Sequence, residues 1–218
     1  MALELFTFSG TPFGWRVQLV ALIKNIPLDI NWLAPSPEGI KSEEFLAINP
    51  RGKVPALRSD GFVVYESTAI ADYLDALHPV PMIYGTGPEE KALIRQTIAE
   101  QECYLSLDVP AFAGTLFIGQ AKAQWDLVAN AAASVLAELD YYESRLADRD
   151  FIAIDSISAT DLMLYPLVTV FFRASGHTDA AELEIAEKIP KRFPKLQAWQ
   201  SRIETIPGFD STIPPGYD

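Results

Sequence analysis

Two residue types are nearly missing from this 218-residue chain: there is one cysteine, Cys103, and there are two histidines, His78 and His177. A lone cysteine makes no intrachain disulfide, no CxxC pair and no cysteine-based metal site. Two histidines leave little from which to assemble a zinc centre or a Ser-His-Asp triad, so no metal is expected. Cations are scarce too: lysine and arginine total 17 against 29 aspartates and glutamates, a formal net charge of −12. Nucleic acids and anionic membranes reward basic surfaces, so neither is the expected partner. No stretch approaches the roughly 18 uncharged apolar residues of a membrane span. The start Met1-Ala2-Leu3-Glu4 carries an acid where an export signal is basic, so the expectation is a cytoplasmic protein in a reducing compartment.

Apolar residues are plentiful instead, at 49% of the chain. That fraction offsets the entropy of ordering the backbone and excludes general disorder. The length suits one large domain or two small ones. Residues 3–8 form a short apolar run stopped by Ser9-Gly10 and read as a buried strand. Thr11-Pro12 opens a helix to about Asn25, with Thr11 at the N-cap and proline in the first helical position. Residues 29–33 read as a second strand, 35–39 as a loop and about 42–48 as a short helix. The runs 54–58 and 62–65, joined through Ser59-Asp60-Gly61, read as a β-hairpin. Ile70, Tyr73, Leu74 and Leu77 then share one helical face. The order is βαβ followed by ββα.

Pro79, Pro81, Gly85, Gly87 and Pro88 crowd ten residues and mark the domain boundary. The expected organisation is therefore an α/β domain over 1–80, a linker over 81–88 and an all-helical domain over 89–218. Helical patterns run roughly over 89–108, 121–147, 160–174, 179–188 and 192–204. Ser158-Ala159-Thr160-Asp161 has the form of a capping box with aspartate in the acidic position. His78 and His177 read as residues at helix C-termini, and Cys103 as a packed small hydrophobe.

Four segments in this order resemble the cytosolic glutathione transferases, across essentially the whole chain. They are Thr11-Pro12-Phe13-Gly14-Trp15-Arg16-Val17, Asn49 to Leu57 with its Val54-Pro55, Tyr65-Glu66-Ser67-Thr68-Ala69-Ile70, and the Ser158 to Asp161 cap. The resemblance implies an α/β thioredoxin-like N-terminal domain followed by an all-α C-terminal domain. It also implies glutathione as co-substrate, a hydrophobic small molecule as second substrate, a role in detoxification, and a homodimer.

The same resemblance distributes the roles. Thr11 stands where the tau-, omega- and zeta-like members carry serine or cysteine, and a hydroxyl at a helix N-terminus stabilises a thiolate. A free thiol has a pKa of about 8.5, and lowering it by about two pH units takes about 2.7 kcal/mol of preference for the anion. Ser9 is the fallback donor, and capping the helix is the plainer role for Thr11. With no cysteine at this place, reduction of mixed disulfides is not expected. A cis Val54-Pro55 bond turns the Val54 backbone outward to pair with the cysteinyl part of glutathione. Ser67 and the helix that follows receive the γ-glutamyl carboxylate, Glu66 its ammonium, and Lys53 and Lys41 the glycyl carboxylate. Arg16 is read as a structural or interface cation with no catalytic task. The electrophile pocket is expected between the domains, from Phe13, Tyr104, Leu105, Leu107, Phe112 and Tyr165.

The reaction so implied is attack of bound thiolate on an apolar electrophile, with peroxide reduction a close variant. Two other readings stand beside it: a non-catalytic binding or regulatory protein of the same fold, and a glutathione-dependent isomerase. Trp15-Arg16-Val17 favours the isomerase, while Thr11-Pro12-Phe13 departs from the Ser-Ser-Cys run of that class.

Overall fold

The computed structural model describes residues 2–217. Its first strand, β1 (Leu3–Thr7), is the buried apolar run near the head of the sequence, and its place inside a four-stranded sheet, with a neighbour on each side, explains that burial. Helix α1 (Pro12–Ile23) makes the crossover that lets β2 (Asp29–Trp32) pair parallel to β1. Strand β3 (Ala56–Ser59) pairs antiparallel on the other side of β1, and β4 (Phe62–Tyr65) closes the edge. The two-residue turn between them is Asp60-Gly61, both at positive φ (46° and 89°), the backbone that a tight hairpin demands. Between β2 and β3 lie α2 (Pro37–Ile40) and α3 (Glu43–Ile48). The stretch expected as a loop thus holds one helical turn, begun by Ser36 and by Pro37 in the first helical position. Phe45 of α3 packs against Phe6 and Ala56, binding the connection between β2 and β3 to the sheet. Helix α4 (Ser67–Leu77) packs on α1. This is the thioredoxin-like α/β arrangement.

The chain divides into two compact units, one of residues up to Ile83 with those from Ile206 on, the other Tyr84–Thr205. Residues 206–217, grouped above with the helical domain, pack instead in the first unit. Their apolar side chains explain why. Phe209, in the 3₁₀ turn Phe209–Thr212, and Tyr217 set their rings 6.4 and 4.9 Å from that of Trp15 in α1.

The second unit is all helical. It comprises α5 (Pro88–Tyr104), α6 (Asp108–Phe117), α7 (Trp125–Arg145), α8 (Ala159–Ser175), α9 (Ile185–Arg192) and α10 (Pro194–Glu204). Helix α8 is its axis, with nearly every side chain buried. The Ser158 N–H and hydroxyl both donate to Asp161 Oδ2 at 2.9 Å, while Ile152 N–H and Trp199 Nε1–H donate to Oδ1 at 2.9 Å. Burial pushes the Asp161 carboxyl above its ordinary value, opposed by these donors.

Helix boundaries in this unit differ from the sequence periodicity. The helix expected to 108 ends at Tyr104, and α6 follows as a separate element burying Val109, Phe112, Ala113 and Leu116. The stretch expected as one helix over 179–188 is a 3₁₀ turn, Thr178–Leu183, broken from α9 by Glu184 at φ 50°. His177 opens that turn rather than closing a helix: its Nδ1 accepts from the Asp179 N–H at 3.2 Å. Cys103 is exposed, not packed. Among the described residues, no helix is long and apolar enough to cross a membrane.

Candidate functional site

The site residues of the first unit sit on three connections around its sheet. The first joins β1 to α1. Thr11 holds the N-cap position in extended backbone (φ −76°, ψ 128°), yet its side chain makes no capping bond. Among the described residues that hydroxyl has no hydrogen-bond partner, so it is not consumed in capping. Gly14 fixes the approach of the helix to the strand: a Cβ there would lie 2.9 Å from Thr7 Cβ and 3.3 Å from Thr11 Cγ2. Ser9 is differently placed, because its hydroxyl donates to the Pro215 carbonyl. The fallback donor is tied to the 206–217 segment.

The second connection leads into β3. The Asn49 side chain clamps it, donating from Nδ2 to the Lys53 carbonyl at 2.6 Å and accepting the Arg51 N–H at 3.1 Å. Lys41 reaches the same turn, with Nζ 2.9 Å from the Arg51 carbonyl and 3.1 Å from that of Gly52. Gly52 has φ 58°, and a Cβ there would stand 2.5 Å from Lys41 Nζ, so both backbone and space require glycine. Lys41 and Lys53, twelve positions apart in sequence, are therefore brought to one turn. The Val54-Pro55 bond is cis. Among the described residues, neither the N–H nor the carbonyl of Val54 has a backbone partner, which leaves a short free edge beside the sheet.

The third connection joins β4 to α4. Glu66 is exposed and holds φ 72°, ψ 119°, a backbone that non-glycine residues rarely adopt. Such a conformation costs on the order of 1–3 kcal/mol and persists where the surroundings impose it. It turns the chain so that Ser67 begins α4, with no acidic residue in the first turn to compete for its free N–H groups. Beneath Ser67 lies a residue with no task legible in the sequence. Arg16 of α1 is fully buried, donates from an Nη to Ser67 Oγ at 3.1 Å, and places its guanidinium 5.0 Å from the Phe13 ring centre. Its spacing gave no sign of this, since Arg16 and Ser67 are 51 positions apart.

The residues expected around an electrophile part company. Leu105 and Phe112 have no exposed surface, and Phe112 packs on Phe171 at 4.9 Å. Tyr165 is buried in α8 and donates to Glu204 at 2.8 Å. These three are core of the helical unit, since each completes its packing or bonding there, and they leave the expected lining. Tyr104 and Leu107 are exposed, at 55% and 77%, and Phe13 is partly buried. The helical unit also carries an open groove of about 540 Å³ along Leu146, Arg149, Asp150, Lys195 and Arg202, where Arg202 is paired with Asp150. None of the expected site residues lines it.

Residues 11–77 match the glutathione S-transferase N-terminal domain, and residues 124–199 match the glutathione S-transferase C-terminal domain. Glutathione S-transferase 2 of Saccharomyces cerevisiae is 31% identical over 207 residues, covering 90% of this chain and 83% of that one. The chain belongs to the glutathione transferase superfamily. Its fold agrees: glutathione transferase F2 of Populus trichocarpa superposes with a TM-score of 0.81 over 97% of each chain at 22% identity. A shorter match, 32% over 93 residues, joins it to maleylacetoacetate isomerase of Rattus norvegicus, where the match spans 42% of this chain and 43%, under half, of the isomerase. Membership makes a glutathione transferase or related function the coarse assignment of this chain.

Proposed function

We propose that this chain is an enzyme that conjugates the thiolate of bound glutathione to an apolar electrophile. One observation carries the reading. The strained Glu66 presents Ser67 and the open N-terminus of α4 together, a receptor for a carboxylate with a neighbouring carboxylate of its own. An α-amino acid carries both charges on one carbon, and the γ-glutamyl end of glutathione is such a group. The free edge of Val54 suits the cysteinyl backbone, and the Lys41–Lys53 turn suits the glycyl carboxylate. Thr11 is the thiolate donor, supported by a hydroxyl that no cap consumes. The α1 N-terminus adds positive potential, and the rest of the catalysis is proximity, with no metal and no covalent enzyme intermediate. Within the α/β unit, the partly buried Phe13 remains a proposed electrophile contact.

Retention on immobilised glutathione, together with conjugation of an activated aryl chloride, tests this directly. Both are expected in the wild type, and Glu66→Ala with Ser67→Ala is expected to abolish retention. Retention unchanged in the double variant removes this site from the reading. Retention without turnover of any electrophile or peroxide favours a binding protein instead.

The match to maleylacetoacetate isomerase supports a second reading, glutathione-dependent cis–trans isomerisation of an unsaturated diacid. Thiolate addition and elimination at the double bond would use the same Thr11. Isomerisation without net loss of glutathione, set against conjugation, separates the two. A cytoplasmic homodimer completes the proposal; the dimer is supported by the family and tested by sedimentation.

A further inference from the structure

We propose that Arg16 is a positioning residue that turns the Ser67 hydroxyl into a dedicated donor for the γ-glutamyl α-carboxylate. The inference deepens the glutathione reading and rests on it.

A serine hydroxyl has one proton and two lone pairs, and alone it rotates among three staggered wells as donor or acceptor. Arginine has only donors. The 3.1 Å contact between Arg16 and Ser67 Oγ therefore has one polarity: Ser67 accepts and its own proton points elsewhere. Around Ser67 the first-turn groups of α4 are N–H donors as well, because the first backbone acceptance in this helix is by the Glu66 carbonyl from Ile70 N–H. The hydroxyl proton and the free N–H groups therefore face one kind of partner, an oxyanion. Arg16 is 0% exposed and Ser67 5%, so solvent screens neither the charge nor the bond. Phe13, whose ring lies 5.0 Å from the guanidinium, limits its swing. A side chain held only for packing has no need to direct this proton, and that difference can be measured.

The probes are S-methylglutathione and its analogue carrying γ-aminobutyryl in place of γ-glutamyl, which keeps the ammonium and lacks the α-carboxylate. Their dissociation constants, by calorimetry on the full chain, give a preference ratio. The wild type is expected to favour the carboxylate-bearing ligand strongly. Arg16→Met is expected to cut that ratio by about tenfold, the value of one charge-assisted hydrogen bond, while binding of the decarboxylated analogue changes little. Equal weakening of both ligands, or an unchanged ratio, overturns the proposal. If Arg16→Met shows no cooperative thermal transition, Arg16→Lys carries the comparison, alone and with Ser67→Ala. Lysine keeps the charge but not the fork, so the ratio is expected to fall by about threefold with Ser67 present and not at all in the Ser67→Ala background. The same fall in both backgrounds overturns it. A wild type that binds neither probe overturns the glutathione reading itself, a result distinct from all of these.

Discussion

The indole N–H of Trp15 donates to the Thr212 hydroxyl at 3.1 Å, across 197 positions of sequence. Both residues are buried, so water does not replace the bond when it is lost. Thr212→Val keeps the shape and removes the acceptor. Stability is expected to fall by about 1–2 kcal/mol, read as a lower urea midpoint at unchanged slope.

Gly14→Ala sets two effects against each other. Alanine improves an exposed helix interior by about 1 kcal/mol, but here its Cβ would lie 2.9 Å from Thr7 Cβ. Overpacking costs about 1–3 kcal/mol and wins. A lower melting temperature is expected, with weakened conjugation because Thr11 Cγ2, 3.3 Å from the added Cβ, must give way along with Thr7; a melting temperature at or above wild type refutes it.

The thiol of bound glutathione reports on its donor through the ultraviolet absorbance of the thiolate. Thr11→Ala is expected to raise the titration midpoint by about 1–2 pH units, and Thr11→Ser to leave it nearly in place. Ser9→Ala is expected to change nothing, because the Ser9 hydroxyl is engaged with the Pro215 carbonyl. A midpoint that moves with Ser9 and not with Thr11 reverses the assignment.

Arg192 binds Asp140 through two hydrogen bonds, at 3.0 and 2.6 Å, and holds its carboxyl below the usual value of 3.8. The folded state thus favours the ionised form. The stabilisation is complete above the unfolded value and is lost as pH falls through the lowered folded one. Both side chains are about half exposed, so the pair contributes under about 1 kcal/mol. Asp140→Asn is expected to lower the melting temperature slightly at pH 7, with the gap closing on acidification below pH 3.8; a gap that is constant with pH rules out the linkage.

Local chemistry made most of the fold legible. Asp60-Gly61 announced its hairpin, Ser158 and Asp161 their cap, and 3–8 a buried strand, because each signal lies within a few residues of its effect. Glu184 was not legible as a helix break, since a left-handed glutamate has no pattern of its own. Nor was the burial of Leu105, Phe112 and Tyr165, because an apolar helical face looks the same whether it meets a ligand or another helix. At the site, the residue types of the Glu66-Ser67 and Val54-Pro55 segments were readable through resemblance. The partners of Lys41 and Arg16 were not, being fixed by tertiary contact with positions 10 to 51 residues away.

The return of residues 206–217 to the first unit has a consequence in time. On a ribosome the chain emerges in order, so Trp15 leaves long before Phe209, Thr212 and Tyr217 exist to meet it. The α/β unit must wait through the synthesis of the entire helical unit with one flank of α1 uncovered. The part of the protein that is made first cannot complete its packing until the last of these residues has been made.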